Sequence, residues 1–239
     1  MNSNYMQAGL MAGALVACAM PVCAQDAKNY PNRPVRLVVP YAPGGTTDFA
    51  ARLLAAKLAE TLGQTVVVDN RPGAGSIIGS DLVAKAIPDG YTLLMVDTGF
   101  SVTPALYAKL PFDAGKDFMP VTEAMRVSNW LIVPASLAVI APKRSAAQPD
   151  VRTMAESGYA GVTMTSWYGV MAPTGVPRPL VEKLAGEISK VLALPDVKER
   201  LATQFAEPVG STPAAFGKLV IGEIATWTAV AKAGGIKAE

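Results

Sequence analysis

The chain has 239 residues, with 21 Lys and Arg against 19 Asp and Glu, no histidine and only two cysteines. The absence of histidine excludes Ser-His-Asp and Cys-His catalytic groups and His-ligated metal sites. A net charge of +2 argues against a nucleic-acid-binding surface. If the first two dozen residues are cleaved, Cys18 and Cys23 are lost as well, and any activity must rest on carboxylates, hydroxyls, Lys, Arg or backbone groups, within one or two domains.

The N-terminal segment has the pattern of a secretory signal. Residues 8–20 form an uncharged apolar run, too short for a membrane anchor of about 20 residues but suited to a signal-peptide core. Val22 and Ala24 are small residues at the positions that signal peptidase requires, so cleavage is predicted after Ala24 and residues 1–24 are assigned to the signal peptide. The alternative is a lipobox, Leu-Val-Ala-Cys ending at Cys18, with a lipid anchor at that cysteine.

The next part of the chain alternates strands and helices. Apolar β-branched runs and 3.6-residue stripes predict, in order, a buried strand Val35–Pro40, a helix Thr47–Leu62, a strand Thr65–Asp69, a helix over about 77–86 and a strand Tyr91–Val96. Strand–helix–strand–helix–strand within about 60 residues implies a parallel sheet with right-handed crossovers. The sequence therefore predicts an α/β fold.

The second half begins with strands and ends in helices. Strands are predicted at Pro120–Thr122, Trp130–Pro134 and Thr165–Pro173, and residues 136–162 are predicted to be irregular. Three helices follow: one begins at Pro179, one covers Asp196–Gln204, and one opens at Thr212-Pro213 and ends near Gly234.

The loop Tyr41–Asp48, after the first predicted strand, is the best candidate for a ligand site. In an open parallel sheet, ligands bind beyond the carboxyl ends of the strands. Gly44 and Gly45 allow close backbone approach, and either Thr46 or Thr47 would cap a helix whose dipole favours an anion. The sequence thus predicts a carboxylate or phosphate cradle without a charged side chain; the alternative is that these residues only turn the chain and cap the helix.

Other polar residues follow the same strands. Arg71 would meet a carboxylate or form a surface salt bridge, and Asp97, Thr98 and Ser101 would hydrogen-bond a polar ligand. Asp48 falls in the first turn of its helix, where it would either contact the ligand or act as a structural cap. The loops match neither GxxxxGK[ST] nor GxGxxG, and no G-x-S-x-G is present, which disfavours nucleotide binding and hydrolysis.

Five motifs in order resemble one known family. They are Tyr30–Asp48 (YPNRPVRLVVPYAPGGTTD), Asn70–Gly75 (NRPGAG), Pro88–Leu94 (PDGYTLL), Trp167–Pro173 (WYGVMAP) and Glu207–Pro213 (EPVGSTP). The resemblance is to the Bug/TctC family, the extracytoplasmic solute-binding proteins of tripartite tricarboxylate transporters. It covers essentially all of residues 30–239.

The resemblance implies a two-lobed α/β fold, like that of periplasmic binding proteins, that closes on a small carboxylate such as a dicarboxylate, a citrate-like acid, an acidic amino acid or an aromatic acid. It implies no enzyme activity, no cofactor, no metal and no nucleic acid, and as partners the membrane permease subunits of the transporter, with the protein itself a periplasmic monomer. The ligand-binding residues that it implies are Tyr41, Pro43, Gly44, Gly45, Thr46, Thr47, Asp48 and Thr98.

The sequence departs from the family in the second lobe. Residues 134–139 run almost directly into 140–150, a segment that resembles what normally follows that lobe. We therefore expect lobe 1 and the C-terminal helices to comprise residues 25–125 and 163–239, and a truncated lobe 2 to comprise 126–162. The alternative is that the protein is an internally deleted, non-binding remnant or a protein-interaction module of the same family, because a two-lobed binding protein with one short lobe loses the opposing ligand contacts.

Overall fold

A computed structural model describes residues 29–133, 136–145, 148–160 and 164–238. The predicted signal peptide and its alternative lipid anchor lie outside these residues. The elements, in chain order, are β1 Val35–Val39, α1 Thr46–Leu62, β2 Val66–Asn70, α2 Ile77–Ala84, β3 Thr92–Asp97, α3 Thr98–Leu106, β4 Phe118–Val133, β5 Ser136–Ile140, β6 Thr165–Pro173, α4 Arg178–Ala193, α5 Pro195–Ala202, β7 Ala206–Pro208 and α6 Pro213–Gly234.

One mixed sheet organises the fold. Its strand order is β2-β1-β3-β6-β4-β5, and β7 pairs with β4. The pairs β1–β2 and β1–β3 are parallel, as the strand–helix alternation predicts, whereas β6 is antiparallel to both β3 and β4. The first three strands therefore end at the same edge of the sheet.

Helices cover both faces of this sheet. Alternate residues of a strand point to opposite faces, so Leu37 packs in the cluster formed with α1, α4 and α5, and Val38 packs in the cluster formed with α2, α3 and α6. Four of the five β1 residues are buried, which agrees with a strand covered on both sides. The second cluster centres on Trp167, whose ring meets Phe216 edge to face at 5.3 Å.

Several sequence predictions are wrong in detail. The two short strands predicted at Pro120–Thr122 and Trp130–Pro134 are one strand, β4, because it continues through two register shifts against β6. Residues 136–140 are not irregular: they form β5, which pairs with the end of β4 as an antiparallel hairpin. Helix α3 and the three-residue strand β7 were not predicted; α3 starts directly at the end of β3 and contains Pro104, which masks its helical signal.

The chain between β4 and β6 is short. It contains β5, in which Val139 forms a parallel bridge to Thr153. Turns follow β5, and there Arg144 pairs with Glu156 at 2.9 Å. The described residues here add one strand to the edge of the main sheet rather than a second sheet of their own.

Helix α6 is an apolar surface helix. Among the helices that the structure describes, it is the one that meets the length and hydropathy of a membrane span. Its Phe216, Val220 and Ala231 are buried, while Ile221 and Val230 are exposed. Since Phe216 and Val220 complete the core against β6 and α3, we assign α6 to the lobe.

Candidate functional site

The carboxyl ends of β1, β2 and β3 bring three loops together. These loops lead to α1, to a single 3-10 turn at Ala74–Ser76 that precedes α2, and to α3; the third is the strand–helix junction at Asp97 and Thr98, with no residue between β3 and α3. Direct hydrogen bonds join the first and third loops: the Tyr41 hydroxyl donates to Asp97 Oδ1 at 2.7 Å, and the Thr47 hydroxyl donates to Asp97 Oδ2 at 3.0 Å. The structure therefore assembles the predicted site residues of both loops at one edge of the sheet.

The glycine loop is open to solvent. Pro43, Gly44 and Gly45 are exposed, and a Cβ atom added at either glycine would meet nothing within 4 Å. Gly44 has a φ of 93°, in the left-handed region that favours glycine. Gly45 is extended, with φ −80° and ψ 174°. An external group thus has free access to this stretch of backbone.

The N-terminus of α1 faces that open loop. The prediction that Thr46 or Thr47 caps the helix is wrong, because Gly45 occupies the N-cap position and both threonines lie in the first turn. Gly45 has no side chain to accept a hydrogen bond, and the first intrahelical bond runs from Phe49 N to Gly45 O at 2.9 Å. The N–H groups of a first helical turn lack intrahelical acceptors, so they are donors for an anion.

Asp48 holds the loop in place through hydrogen bonds within the protein. Its carboxylate is buried, with Oδ1 accepting from Asn70 Nδ2 at 2.9 Å and Oδ2 accepting from Gly44 N and Arg52 Nε, each at 2.9 Å. The hydrogen bond from Arg52 is the largest influence that lowers the pKa of Asp48, to about 2. With both oxygens engaged, Asp48 fits the structural-cap alternative better than the ligand-contact one.

Tyr41 is also committed internally. Its hydroxyl donates to Asp97 and lies beside the side chain of Ser76, at the start of α2. Burial, followed by the charge of Asp97, raises the pKa of Tyr41 far above its usual range. Since the proton of Tyr41 is directed at Asp97, the side chain fixes the position of the loop and its hydroxyl hydrogen is already engaged within the protein.

Two further predicted residues connect the loops to β6. Thr46 is partly exposed and its hydroxyl lies beside Tyr168, while Thr98 Oγ1 accepts from Trp167 N at 3.0 Å. As an acceptor in that bond, Thr98 keeps its hydroxyl hydrogen for donation. Both threonines therefore combine a structural contact with a polar group near the site.

The cationic side chains next to the loops are paired with acids. Arg52 contacts Asp48, and Arg71 contacts Asp69 at 3.0 Å. Arg71 thus forms the surface salt bridge that was the alternative for it. The prediction that Ser101 reaches a ligand is wrong, because its side chain is fully buried in α3.

Asp97 is the central residue of the site. The sequence predicted that Asp97 follows a strand and hydrogen-bonds a polar ligand, whereas in the structure its carboxylate caps α3 by accepting from Gly99 N at 2.9 Å and also accepts from Tyr41 and Thr47. The available signal was an Asp directly before Thr-Gly at a strand end, which is typical of a helix N-cap.

The arrangement suits anion binding by neutral donors. It combines an uncapped helix N-terminus, an open glycine loop and hydroxyl groups, with no proton-transfer pair. In the part of the chain that the structure describes, no group of three or more Asp, Glu or Cys side chains is arranged to hold a metal ion.

Comparison with known proteins gives one consistent result. The family model for the tripartite tricarboxylate transporter family receptor, TctC, matches residues 50–137 and 136–236. A protein from the tcbD–tcbE intergenic region of Pseudomonas sp. strain P51 is 30% identical over 314 aligned residues, covering 94% of this chain and 94% of that protein. The predicted resemblance is thereby confirmed.

Solved structures agree with the fold. The periplasmic binding protein BugD has a TM-score of 0.79 at 29% identity, covering 88% of this chain and 100% of that one. The R. palustris protein Rpa4515, solved with adipate, has a TM-score of 0.80 at 27% identity, covering 87% and 99%. MatC from Rhodopseudomonas palustris, solved with bound malate, has a TM-score of 0.74 at 26% identity, covering 84% and 99%.

The alignments also locate the missing part of the chain. The alignment with the Pseudomonas protein is 314 positions long, so at least 75 positions, the difference between 314 and 239, have no residue in this chain. The two family-model matches meet at residues 136–137, at the start of β5. The predicted fold class, with a shortened second lobe, is confirmed, while the exact domain boundaries stay a prediction.

Proposed function

The chain belongs to the tripartite tricarboxylate transporter receptor family, and we propose that it is an extracytoplasmic solute-binding protein that captures a small carboxylate for such a transporter. The observation that carries this proposal is the uncapped N-terminus of α1 behind the open loop of Gly44 and Gly45, joined by hydrogen bonds to the start of α3. That edge offers backbone donors to an anion and lacks a catalytic pair.

The class of ligand follows from the same geometry and from the relatives. Adipate and malate, seen with two structural neighbours, are small dicarboxylates, and a helix N-terminus stabilises one carboxylate without a cationic side chain. Acidic amino acids and aromatic acids carry the same group. We propose that Thr46 and Thr98 donate to the ligand and that Tyr41, Pro43, Gly44, Gly45 and Thr47 form the wall around it, with Asp48 holding the wall in place. Delivery to permease subunits in the periplasm, by a monomer, is part of this proposal.

The direct test is a carboxylate panel measured by thermal unfolding and calorimetry. Adipate, malate, citrate, glutamate and benzoate are added to the folded monomer, with the corresponding primary amides as neutral controls. A ligand at about 100 times its Kd stabilises the folded state by about 2.7 kcal/mol, which raises the Tm of a protein of this size by about 5–10 °C. A stabilising carboxylate whose amide is inactive supports the proposal; a panel without any shift contradicts it.

The shortened second lobe favours one alternative, a non-binding remnant or protein-interaction module. Between β4 and β6 the described residues provide one strand and turns, so the opposing wall of a two-lobed clamp is reduced. Under this alternative the folded protein shows no carboxylate-dependent shift yet retains a partner in a pull-down from its native periplasm. The panel experiment therefore separates the two functions.

A further inference from the structure

Asp97 joins all three loops of the site through one network. Its Oδ1 accepts from Tyr41 of the first loop and from Gly99 N of the third, and its Oδ2 accepts from Thr47 at the start of α1. The backbone oxygen of Tyr41 in turn accepts from Asn70 Nδ2 at 3.1 Å, at the end of β2 where the second loop begins. Hydrogen bonds to a carboxylate are stronger than bonds between neutral groups, so this residue anchors the three loops together.

From this network we infer that Asp97 is the positioning residue that holds the loops after β1, β2 and β3 in their ligand-binding arrangement before any ligand arrives. The role differs from that of Asp48, which ties the first loop to Arg52 and Asn70 on its outer side. In a protein with a shortened second lobe, closure contributes less to ordering the site, so the first lobe must order its own loops. A loop that is ordered in advance costs less entropy on binding.

The carboxylate also explains why both hydroxyl side chains of the first loop turn inward. Thr47 is buried and half-buried Tyr41 has its hydroxyl 2.7 Å from the Asp97 carboxylate. Without an acceptor at position 97, each hydroxyl would need another partner or water. Because these two donors would seek other partners, the loop would leave its present path. The N–H groups of the α1 N-terminus would then no longer be held at a fixed place relative to α3.

The first test needs no ligand. Amide hydrogen exchange is measured in wild type, Asp97→Ala and Asp97→Asn, at the hydrogen-bonded amides of Gly44 and Phe49 in the first loop and first turn of α1. The amides of Val35 and Arg36, bonded at the opposite end of β1, report global stability. We expect the exchange rates of Gly44 and Phe49 to rise about tenfold in Asp97→Ala, because the loss of one charge-assisted hydrogen bond changes a local opening equilibrium by about that factor. The exchange rates of the two reference amides should be nearly unchanged.

Two further variants serve as comparisons in this test. Asp97→Asn retains one acceptor oxygen, so its exchange should lie between wild type and Asp97→Ala. Asp113→Ala is the matched control, because Asp113 makes the same turn, accepting from Gly115 N at 2.9 Å, at a distance from the site. It should leave exchange at Gly44 unchanged. Equal acceleration at all amides in Asp97→Ala, or no acceleration at Gly44, overturns the inference.

The second test rests on the proposed function. With adipate as the probe, or whichever acid of the panel binds wild type, the affinity of Asp97→Ala should fall about tenfold, through a slower association as well as a faster release, while Asp113→Ala binds as wild type. Unchanged affinity in Asp97→Ala overturns its role in binding. If wild type binds no acid, the proposed function fails, and the exchange measurement still decides whether Asp97 positions the loops.

Discussion

Replacing Gly45 by Asp should fill the anion position with a carboxylate that belongs to the protein. Gly45 is the N-cap of α1, is extended at φ −80°, and has free space where a Cβ would be. Asp is among the best N-cap residues, so Gly45→Asp should fold normally, with a change in the free energy of unfolding below about 1 kcal/mol. Its side chain would accept from the N–H groups that we assign to the ligand.

The expected loss of affinity is large. Two carboxylates about 4 Å apart repel each other by about 4 kcal/mol at an effective dielectric constant of about 20, which corresponds to roughly a 1,000-fold change in Kd. Part of this energy is relieved if the ligand shifts or solvent enters, so we expect affinity for the best panel acid to fall at least about 100-fold. Calorimetric titration at two salt concentrations measures this loss, and added salt should reduce it.

The matched control is Gly45→Asn. Asn caps a helix equally well and has nearly the same shape, but it adds no charge. It should lose about tenfold or less in affinity, with thermal stability equal to that of Gly45→Asp. Wild-type affinity in Gly45→Asp would refute a ligand carboxylate at this helix N-terminus, and equal losses in both variants would show that bulk, not charge, acts there.

The remaining predictions concern stability. The partners of Asp48 lower its pKa to about 2, so its contribution to the free energy of unfolding should be fully present above about pH 4. That contribution should fall by about 2 kcal/mol as the pH drops from about 4 to 2. In acid denaturation, Asp48→Asn should flatten this pH dependence, and it should lower the free energy of unfolding by a similar amount at pH 7. Gly169→Ala should destabilise by about 1–3 kcal/mol, because its Cβ would overlap the ring of Phe216, and Gly169→Ala with Phe216→Leu should recover part of the loss in urea unfolding. Gly222→Ala, at an open helical position, should instead stabilise by about 0.5–1 kcal/mol; a loss there would contradict the helical assignment of α6.

Much of the first lobe could be predicted because its signals are local. The strand Val35–Val39 follows from a short β-branched run, and the helix Thr46–Leu62 from its apolar stripe and the Gly63 stop, which adopts φ 67° as a left-handed C-cap. Alternation of such units implies parallel pairing, since a helical crossover joins parallel strands. The open loop at Gly44 and Gly45 was predictable for the same reason.

Other assignments failed because they depend on partners far away in the chain. Residues 136–140 form a strand only by pairing with the end of β4, and periodicity within five residues does not reveal that pairing. The start of α3 was concealed because β3 ends at Asp97 and α3 begins at the next residue, Thr98. Asp48 and Ser101 were candidate ligand contacts until their burial was known.

The sequence by itself determined the α/β alternation, the glycine loop, the lack of histidine chemistry and the family motifs, all of which are properties of neighbouring residues. The tertiary structure decided which polar groups remain for a ligand. Asp97 becomes the centre of the site because the parallel register places β3 beside β1, so that hydroxyls about 50 positions earlier in the chain reach its carboxylate. A hydrogen bond satisfies a donor and an acceptor only at a fixed distance, and the folded sheet alone sets that distance.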